Sequence, residues 1–274
     1  MRPGYKYPIV TRRRNVRASV DSTVGEFAET MRYGEQTFLD QQEFLQILEA
    51  PWVVELNQAL GGILTPDRSI LSVGSGLGEH EIPFHLDGYD ITASDIVEYA
   101  LLQTVNLFPG FRAIRFDIFN PDLTVQYDDV LITGLAFYFG SDEAQLIFDN
   151  ARKLLKPAGS LIFTLRYHNN LATWFIDLVL SPSLAALRNA KFRLTGADLK
   201  CVKKCHGYRR SRGEIVAMAQ AAGYQLGRVR HAGFGVELNR IELHRFAPGP
   251  YRFLRELDKR ICVFNNATVF EFLT

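Results

Sequence analysis

Between residues 69 and 165 short apolar runs alternate with helical patterns, and this alternation leaves very few folds open to the chain. The spacing predicts strands at residues 70–73, 90–93, 111–116, 130–133 and 160–165. Between them it predicts helices at 81–86, 96–107 and 141–155, the last closed by Lys156-Pro157-Ala158-Gly159. Strand–helix alternation with short connections specifies a parallel sheet with helices on both faces. Ligands of such sheets sit at the carboxyl ends of the strands, near the point where the strand order reverses. Gly74, Asp95, Asp117 and Gly134 each follow or close a predicted strand, so this edge is the expected binding site.

Upstream, residues 1–20 read as a loose basic arm. From 24 to about 60 apolar residues recur at helical spacing (Phe27, Met31, Phe38, Phe44, Leu45, Leu48), and Pro51 splits the stretch into two helices. Downstream, residues 168–210 read as an inserted lid with an apolar helix at 171–180 and a basic stretch. Ser211 to Glu214 then open a helix to residue 222, and strands at 225–230 and 268–273 close the sheet, with a helix at 250–260 between them. The expected organisation is therefore 1–68 as arm and helical cap, 69–167 as the ligand-binding core, 168–210 as the lid and 211–274 as the remainder of the core sheet.

Hydrophobic residues make up 47% and charged residues 22%, a globular balance that argues against a mainly disordered or collagen-like chain. With 31 Lys+Arg against 30 Asp+Glu, the chain as a whole is no polycation built for nucleic acid. The charge is uneven, however. Residues 1–20 hold Arg2, Lys6, Arg12, Arg13, Arg14 and Arg17 with no acid, and residues 186–213 hold nine cations against Asp198. These segments either frame an anionic ligand or are a solvated tail and loop. No apolar run approaches the roughly 18 residues of a membrane helix. The first ten residues lack the apolar core of a secretion signal, and three cysteines are too few for a disulfide framework, so the expected compartment is cytoplasmic. Cys201, Cys205 and His206 resemble half a zinc site, but only Cys262 and scattered histidines remain to complete it, so no metal is expected.

Glycine at the first strand–helix turn lets backbone approach a ligand closely. Gly74-Ser75-Gly76-Leu77-Gly78 supplies such a turn, but Glu79 stands where a nicotinamide fingerprint has its last glycine. A carboxylate there repels a pyrophosphate on the helix N-terminus, and the Lys-Ser/Thr pair of a P-loop is missing. The expected ligand therefore has an adenosine-like body without a pyrophosphate. Asp95, at the end of the second strand, can accept hydrogen bonds from both hydroxyls of a ribose. Asp117, closing the third, can accept from an exocyclic amine such as adenine N6. These partners fit S-adenosylmethionine.

The segment from Ser69 to Leu165 resembles the class I S-adenosylmethionine-dependent methyltransferases. The glycine loop matches that family's G-x-G-x-G, Asp95 its ribose-binding acid, and Phe116-Asp117 its adenine-side acid. Asp129-Val130 and Leu155-Lys156-Pro157-Ala158-Gly159-Ser160 match its D-V and L-K-P-G-G patterns. The resemblance spans about 100 of 274 residues. It implies an α/β, Rossmann-like fold: a seven-stranded, mostly parallel sheet with its last strand antiparallel, and helices on both faces. It implies S-adenosyl-L-methionine as cofactor, held by Gly74, Ser75, Gly76, Gly78, Asp95, Ile96, Asp117, Ile118, Gly134 and Leu135. The family often has an acid two residues before the first glycine, which helps hold the methionine amino end. Here that residue is Ser72, so the role would pass to backbone carbonyls or to the N-terminal helices.

In this family the turn Ala136-Phe137-Tyr138-Phe139 faces the methyl acceptor. It is not the Asn/Asp-Pro-Pro-Tyr/Phe tetrapeptide of DNA amine methylases, and there is no Pro-Cys nucleophile of the cytosine-carbon type. Methyl transfer is an in-line displacement at a sulfonium methyl, for which positioning supplies most of the effect, and a hydroxyl acceptor also benefits from a base. His168 is the candidate base, or else a loop histidine bonded to backbone. Tyr138 is a second candidate catalytic residue, lining the acceptor pocket, or else packs between strand and helix. Phe137, Arg209 and Arg210 are candidate substrate-binding residues. If the turn is extended, Phe137 and Phe139 point to opposite sides and at most one shares the pocket of Tyr138. His80 is expected on a helix surface. The expected activity is O- or N-methylation of a small-molecule or glycan-type metabolite, with an anionic acceptor admitted by the basic segments. The alternatives are an RNA or protein methyltransferase docking through those segments, and a non-catalytic S-adenosylmethionine-binding protein.

Overall fold

A computed structural model of the chain describes residues 41–122, 124–166, 208, 210–234, 249 and 265–274. Among them seven strands form one sheet: β1 (Ile70–Val73), β2 (Ile91–Asp95), β3 (Arg112–Arg115), β4 (Tyr127–Thr133), β5 (Leu155–Arg166), β6 (Gln225–Phe234) and β7 (Asn265–Leu273). Their order is β3-β2-β1-β4-β5-β7-β6. The first five pair in parallel, and β7 runs antiparallel to both β5 and β6. Helices α1 (Gln41–Leu48) and α2 (Pro51–Gly61) precede the sheet, and α3 (Glu81–Leu86), α4 (Glu98–Leu107), α5 (Ser141–Lys153) and α6 (Arg212–Ala221) connect its strands. The order reverses at β1 and β4, which opens a crevice above their carboxyl ends.

The strands are apolar on both faces, as a covered parallel sheet requires. Leu71, Val73, Val130, Ile132, Leu161 and Phe163 face one side and meet Ala144, Ile147, Phe148 and Ala151 of α5 and Ile215 and Ala219 of α6. The rings of Phe148 and Phe163 stack 4.9 Å apart in this layer. Ile70, Ile91, Leu131 and Ile162 alternate to the other side and meet Leu56, Ala59 and Leu60 of α2. Residues 51–61 are therefore a layer of the fold and not a cap above it. Pro51, where the sequence predicts a break, occupies the first turn of α2, where its missing N–H costs nothing.

Several boundaries differ from the sequence expectations. Helix α4 begins at Glu98 and not at 96, because a carboxylate oxygen of Asp95 accepts from the Val97 N–H and Val97 stays extended. Helix α5 ends at Lys153, and Leu155 already pairs with Tyr127. The next pair is Asp129 with Ser160, so Lys156 to Gly159 loop out of β5. Ala158 adopts φ 59° in that loop, in the left-handed region. Strands β4, β6 and β7 each start earlier or run further than their apolar runs indicated. At the amino-terminal end of the sheet, Arg68 donates to both carboxylate oxygens of Asp129 at 2.9 and 2.8 Å. Asp128 accepts from Ser69 and Lys156 nearby. These bonds fasten β1 to β4 and leave the opposite edge to other uses.

The expected basic arm, the helical stretch before residue 41, the lid before residue 208, the helix at 250–260, and Cys201, Cys205, His206 and Cys262 lie outside the described residues. Among the described residues no helix is long and apolar enough to cross a membrane. Phe148 is fully buried at the meeting of α5 with β5 and β7. Phe148→Ala should therefore destabilise the protein by about 3–5 kcal/mol, read as a fall in the urea midpoint without a change in the slope.

Candidate functional site

The site is built where β1 gives way to the glycine loop. Gly74, Gly76 and Gly78 have φ of 72°, 57° and 77°, values that side chains disfavour. The N–H groups of Gly74 and Ser75 both donate to the Ser94 carbonyl, at 2.8 and 3.0 Å, and the Ser75 hydroxyl turns to the same oxygen. A Cβ on Gly74 would lie 2.9 Å from a methyl of Leu135, so glycine is needed there for closeness as well as for conformation.

Asp95 ends β2 and is 5% exposed. One carboxylate oxygen accepts from Gly76 N–H and the other from Val97 N–H, each at 2.8 Å. Burial pushes its pKa up, against these backbone donors. Each oxygen keeps a second lone pair, and the neighbouring Gly74, Gly76 and Ile96 are only half-buried. Asp117 lies two residues past β3, half-buried, and accepts from Phe119 N–H at 3.0 Å in a short side-chain turn. Ile118 is buried and its carbonyl accepts from the Asn150 amide at 2.8 Å.

After β4 the chain turns at Gly134, with φ 72°, whose N–H donates to the Thr164 hydroxyl. Residues Leu135–Tyr138 form one turn of 3-10 helix and are not extended. Phe137 and Phe139 do diverge, but through this turn. Phe139 is buried against Phe119, with ring centroids 4.8 Å apart, while Phe137 stays half-buried beside Tyr138.

Arg210 departs from its expected role as a docking cation. Its guanidinium is 4% exposed and donates to the carbonyls of Ala136 and Phe139. The Tyr208 N–H donates to Phe137 O at 2.6 Å, and Arg210 lies over the Tyr208 ring. Together they clamp the turn after β4. A carbonyl-binding arginine and an anion-binding one look alike in a sequence, and only the fold separates them. His168 and Arg209 lie outside the described residues.

His80 is not on a helix surface. It is 3% exposed, with Nδ1 2.8 Å from the Asn57 side-chain oxygen and its ring edge-on to Trp52, and so ties α2 to the glycine loop. Beside it Glu81 is fully buried, an arrangement that residue-by-residue reading passed over. The Ser72 hydroxyl donates to Glu81 Oε1 at 2.5 Å, while Oε2 has no partner. Burial pushes this carboxyl up to about 7, opposed by the Ser72 bond and reinforced by the charge of Glu79. The signal in the sequence was Ser72 itself, a serine where the resemblance led one to expect an acid.

No family model matches the sequence, and no curated protein matches it. Solved structures do match the fold. An S-adenosylmethionine-dependent methyltransferase of Thermotoga maritima, described as a possible histamine N-methyltransferase, aligns with TM-score 0.54 at 13% identity, over 88% of this chain and 96% of that one. The 1,6-didemethyltoxoflavin-N1-methyltransferase of Burkholderia thailandensis, with 1,6-didemethyltoxoflavin and S-adenosylhomocysteine bound, aligns with TM-score 0.54 at 13% identity, over 97% and 93%. An S-adenosylmethionine-dependent methyltransferase of Mesorhizobium loti aligns with TM-score 0.50 at 15% identity, over 79% and 96%. This chain has the fold of the class I methyltransferases.

Two outcomes follow from this geometry. Gly74→Ala should destabilise by at least about 1 kcal/mol, since it combines a left-handed φ with a close approach to Leu135. The second concerns pH. Glu81 holds its proton to about pH 7 in the folded protein but loses it near 4.5 when unfolded. The folded state binds more protons in that window, so stability falls as pH rises from about 4.5 to 7 and is then level for this group. Urea unfolding at pH 5 to 8 should show wild type losing roughly 1–3 kcal/mol relative to Glu81→Gln across that range.

Proposed function

We propose that the chain is an S-adenosylmethionine-dependent methyltransferase that methylates oxygen or nitrogen of a small-molecule or glycan-type acceptor. The observation that carries this reading is Asp95: a carboxylate at the end of β2, next to the strand where the order reverses, bonded to the glycine loop, with lone pairs left for a ribose. In this reading the backbone of Gly74 to Gly78 takes the body of the cofactor, and Asp117 takes the adenine amine. Leu135 packs against Gly74 and shapes the same pocket. Phe137 and Tyr138 present apolar surface to the acceptor beside the sulfonium methyl. The acceptor lone pair forms the new bond to that methyl while the carbon–sulfur pair returns to sulfur, which gives S-adenosylhomocysteine. The acceptor proton leaves to water or to a base, for which His168 remains the candidate.

The small-molecule class is supported by the Burkholderia structure, which holds its toxoflavin-type acceptor in a protein of this fold. An anionic acceptor has less support than the sequence offered, because Arg210 is committed to carbonyls. It now depends on Arg209 and the other cations of the basic segments.

Asp95→Ala should weaken S-adenosylmethionine at least about tenfold in calorimetric titration, since bonds to a charged group contribute about 1.5–3 kcal/mol each. It should also lower stability by about 1–3 kcal/mol, because the N–H groups of Gly76 and Val97 lose their acceptor. Unchanged cofactor affinity in the folded variant would remove the ribose assignment. Incubation with methyl-labelled cofactor and a metabolite extract, read by mass spectrometry, should yield a labelled small molecule. Saturable cofactor binding with no labelled product from any extract would favour the non-catalytic reading.

A further inference from the structure

Arg210 is a buried cation that no step of the reading above uses. Burying a guanidinium is unfavourable, and an apolar side chain of similar volume would fill the same space at less cost. Burial works against its charge, while the nearby acids Glu214 of α6 and Glu143 of α5 favour it.

What the charge holds is a turn with little to hold itself. Residues Leu135–Tyr138 make a single turn of 3-10 helix, a form with poor hydrogen-bond geometry. Two bonds within it are long. Phe137 N–H lies 3.3 Å from the Gly134 carbonyl, and Phe139 N–H lies 3.5 Å from the Ala136 carbonyl. Ordinary N–H to carbonyl bonds span about 2.7–3.2 Å. The bonds that reach in from outside are shorter. Tyr208 N–H lies 2.6 Å from the Phe137 carbonyl, and Arg210 bridges the carbonyls of Ala136 and Phe139 on either side of it. The guanidinium also lies over the Tyr208 ring, so the two outside donors support each other. At the start of the turn, Gly134 N–H donates to the Thr164 hydroxyl at 3.0 Å.

The first residue of this turn is Leu135. A Cβ on Gly74 would lie 2.9, 3.3 and 3.3 Å from three atoms of the Leu135 side chain. The leucine thus fills the space that the glycine leaves open, and the glycine loop rests against a turn that is fastened by Arg210.

We propose that Arg210 is a positioning residue for the cofactor pocket: it holds the turn after β4 so that Leu135 stays seated against Gly74. The proposal rests on the cofactor reading above, in which Gly74 and Leu135 touch S-adenosylmethionine. Without the guanidinium the turn keeps only its long inner bonds and the Tyr208 contact, and Leu135 leaves its seat for part of the time. Cofactor then binds only the seated fraction, and the apparent affinity falls by that fraction. Lysine does not replace arginine here, because an ammonium is a point charge and lacks the planar fork that spans two carbonyls.

The test is a double-mutant cycle read by calorimetric titration of S-adenosylmethionine and S-adenosylhomocysteine. Its members are wild type, Arg210→Lys, Leu135→Ala and the double variant, with Arg210→Met as a second, uncharged replacement. Phe148→Leu, which loosens the ring stack with Phe163 in the core, is the control for lost stability. Urea unfolding gives the stability of each protein. Arg210→Lys should bind both ligands about fivefold more weakly and Arg210→Met about tenfold, since the two ligands share the part that meets Gly74. Leu135→Ala should weaken both as well. With Leu135 already removed, Arg210→Lys should add less than about twofold, because the contact it positions is gone. Phe148→Leu should lose stability and keep both affinities within about twofold. Linkage requires the converse in wild type, whatever the variants do: S-adenosylhomocysteine should slow hydrogen exchange of the Tyr208 amide by about fivefold.

Wild-type affinity in the Arg210 variants, or the same fivefold loss with Leu135 absent, would overturn the proposal and leave the cofactor reading standing. So would a Phe148→Leu protein that binds as weakly as Arg210→Lys at equal stability, or a Tyr208 amide whose exchange ignores the ligand. Failure of wild type to bind either ligand would overturn both.

Discussion

At the end of β2 the carboxylate of Asp95 accepts one backbone N–H from the glycine loop and one from the entry to α4, while its own carbonyl accepts from Phe116. Three connections of the sheet are therefore fixed through one residue. The loop after β1 is held in a conformation that needs glycine at 74, 76 and 78, helix α4 is delayed to Glu98, and the chain leaving β3 is drawn to the same edge. Burying a carboxylate is expensive, and the backbone donors around it offset that expense in the folded state. The shape of the crevice at the strand reversal depends on this arrangement more than on any apolar contact.

The two other walls of the crevice use the same physics with different charges. Arg210 places a buried guanidinium among the carbonyls of the turn after β4, and Tyr208 holds the carbonyl between them. That turn carries Leu135, Phe137 and Tyr138, so the chain entering α6 fixes this side of the crevice. Glu81 is the exception. Its carboxyl has one partner, Ser72, and an oxygen with none. Satisfied polar groups set the frame of the site, and Glu81 is the buried carboxyl that the frame leaves partly unsatisfied.

Much of the fold was legible in the sequence because its signals are local. An apolar run of four residues followed by alternating glycines placed β1 and its loop to the residue, and the acid at the end of the second run identified Asp95. The helical turn at Ser211 and Glu214 forms a reciprocal cap, each side chain bonding the other's backbone. What stayed hidden depends on contacts between distant residues. The extended Val97 reflects a bond from Asp95, and the looped-out Lys156 to Gly159 reflects the pairing of Leu155 with Tyr127. Arg210 read as a free cation because its carbonyl partners lie about 70 positions away. His80 read as a surface residue because α2, which covers it, packs onto the sheet from the far side of the glycine loop. Ser72 stands where the resemblance has an acid, and its bond to Glu81 of α3 became visible only when strand and helix were packed together.

A crystal structure of the protein with S-adenosylhomocysteine tests the placement of the cofactor most directly. The ribose hydroxyls should lie about 2.5–3.0 Å from the carboxylate of Asp95. The nucleoside should rest over Gly74 to Gly78, with the adenine amine toward Asp117 and the homocysteine end toward the loop above Ser72 and Glu81. A nucleoside bound at another edge of the sheet, or one in this crevice with its ribose beyond the reach of Asp95, would contradict it.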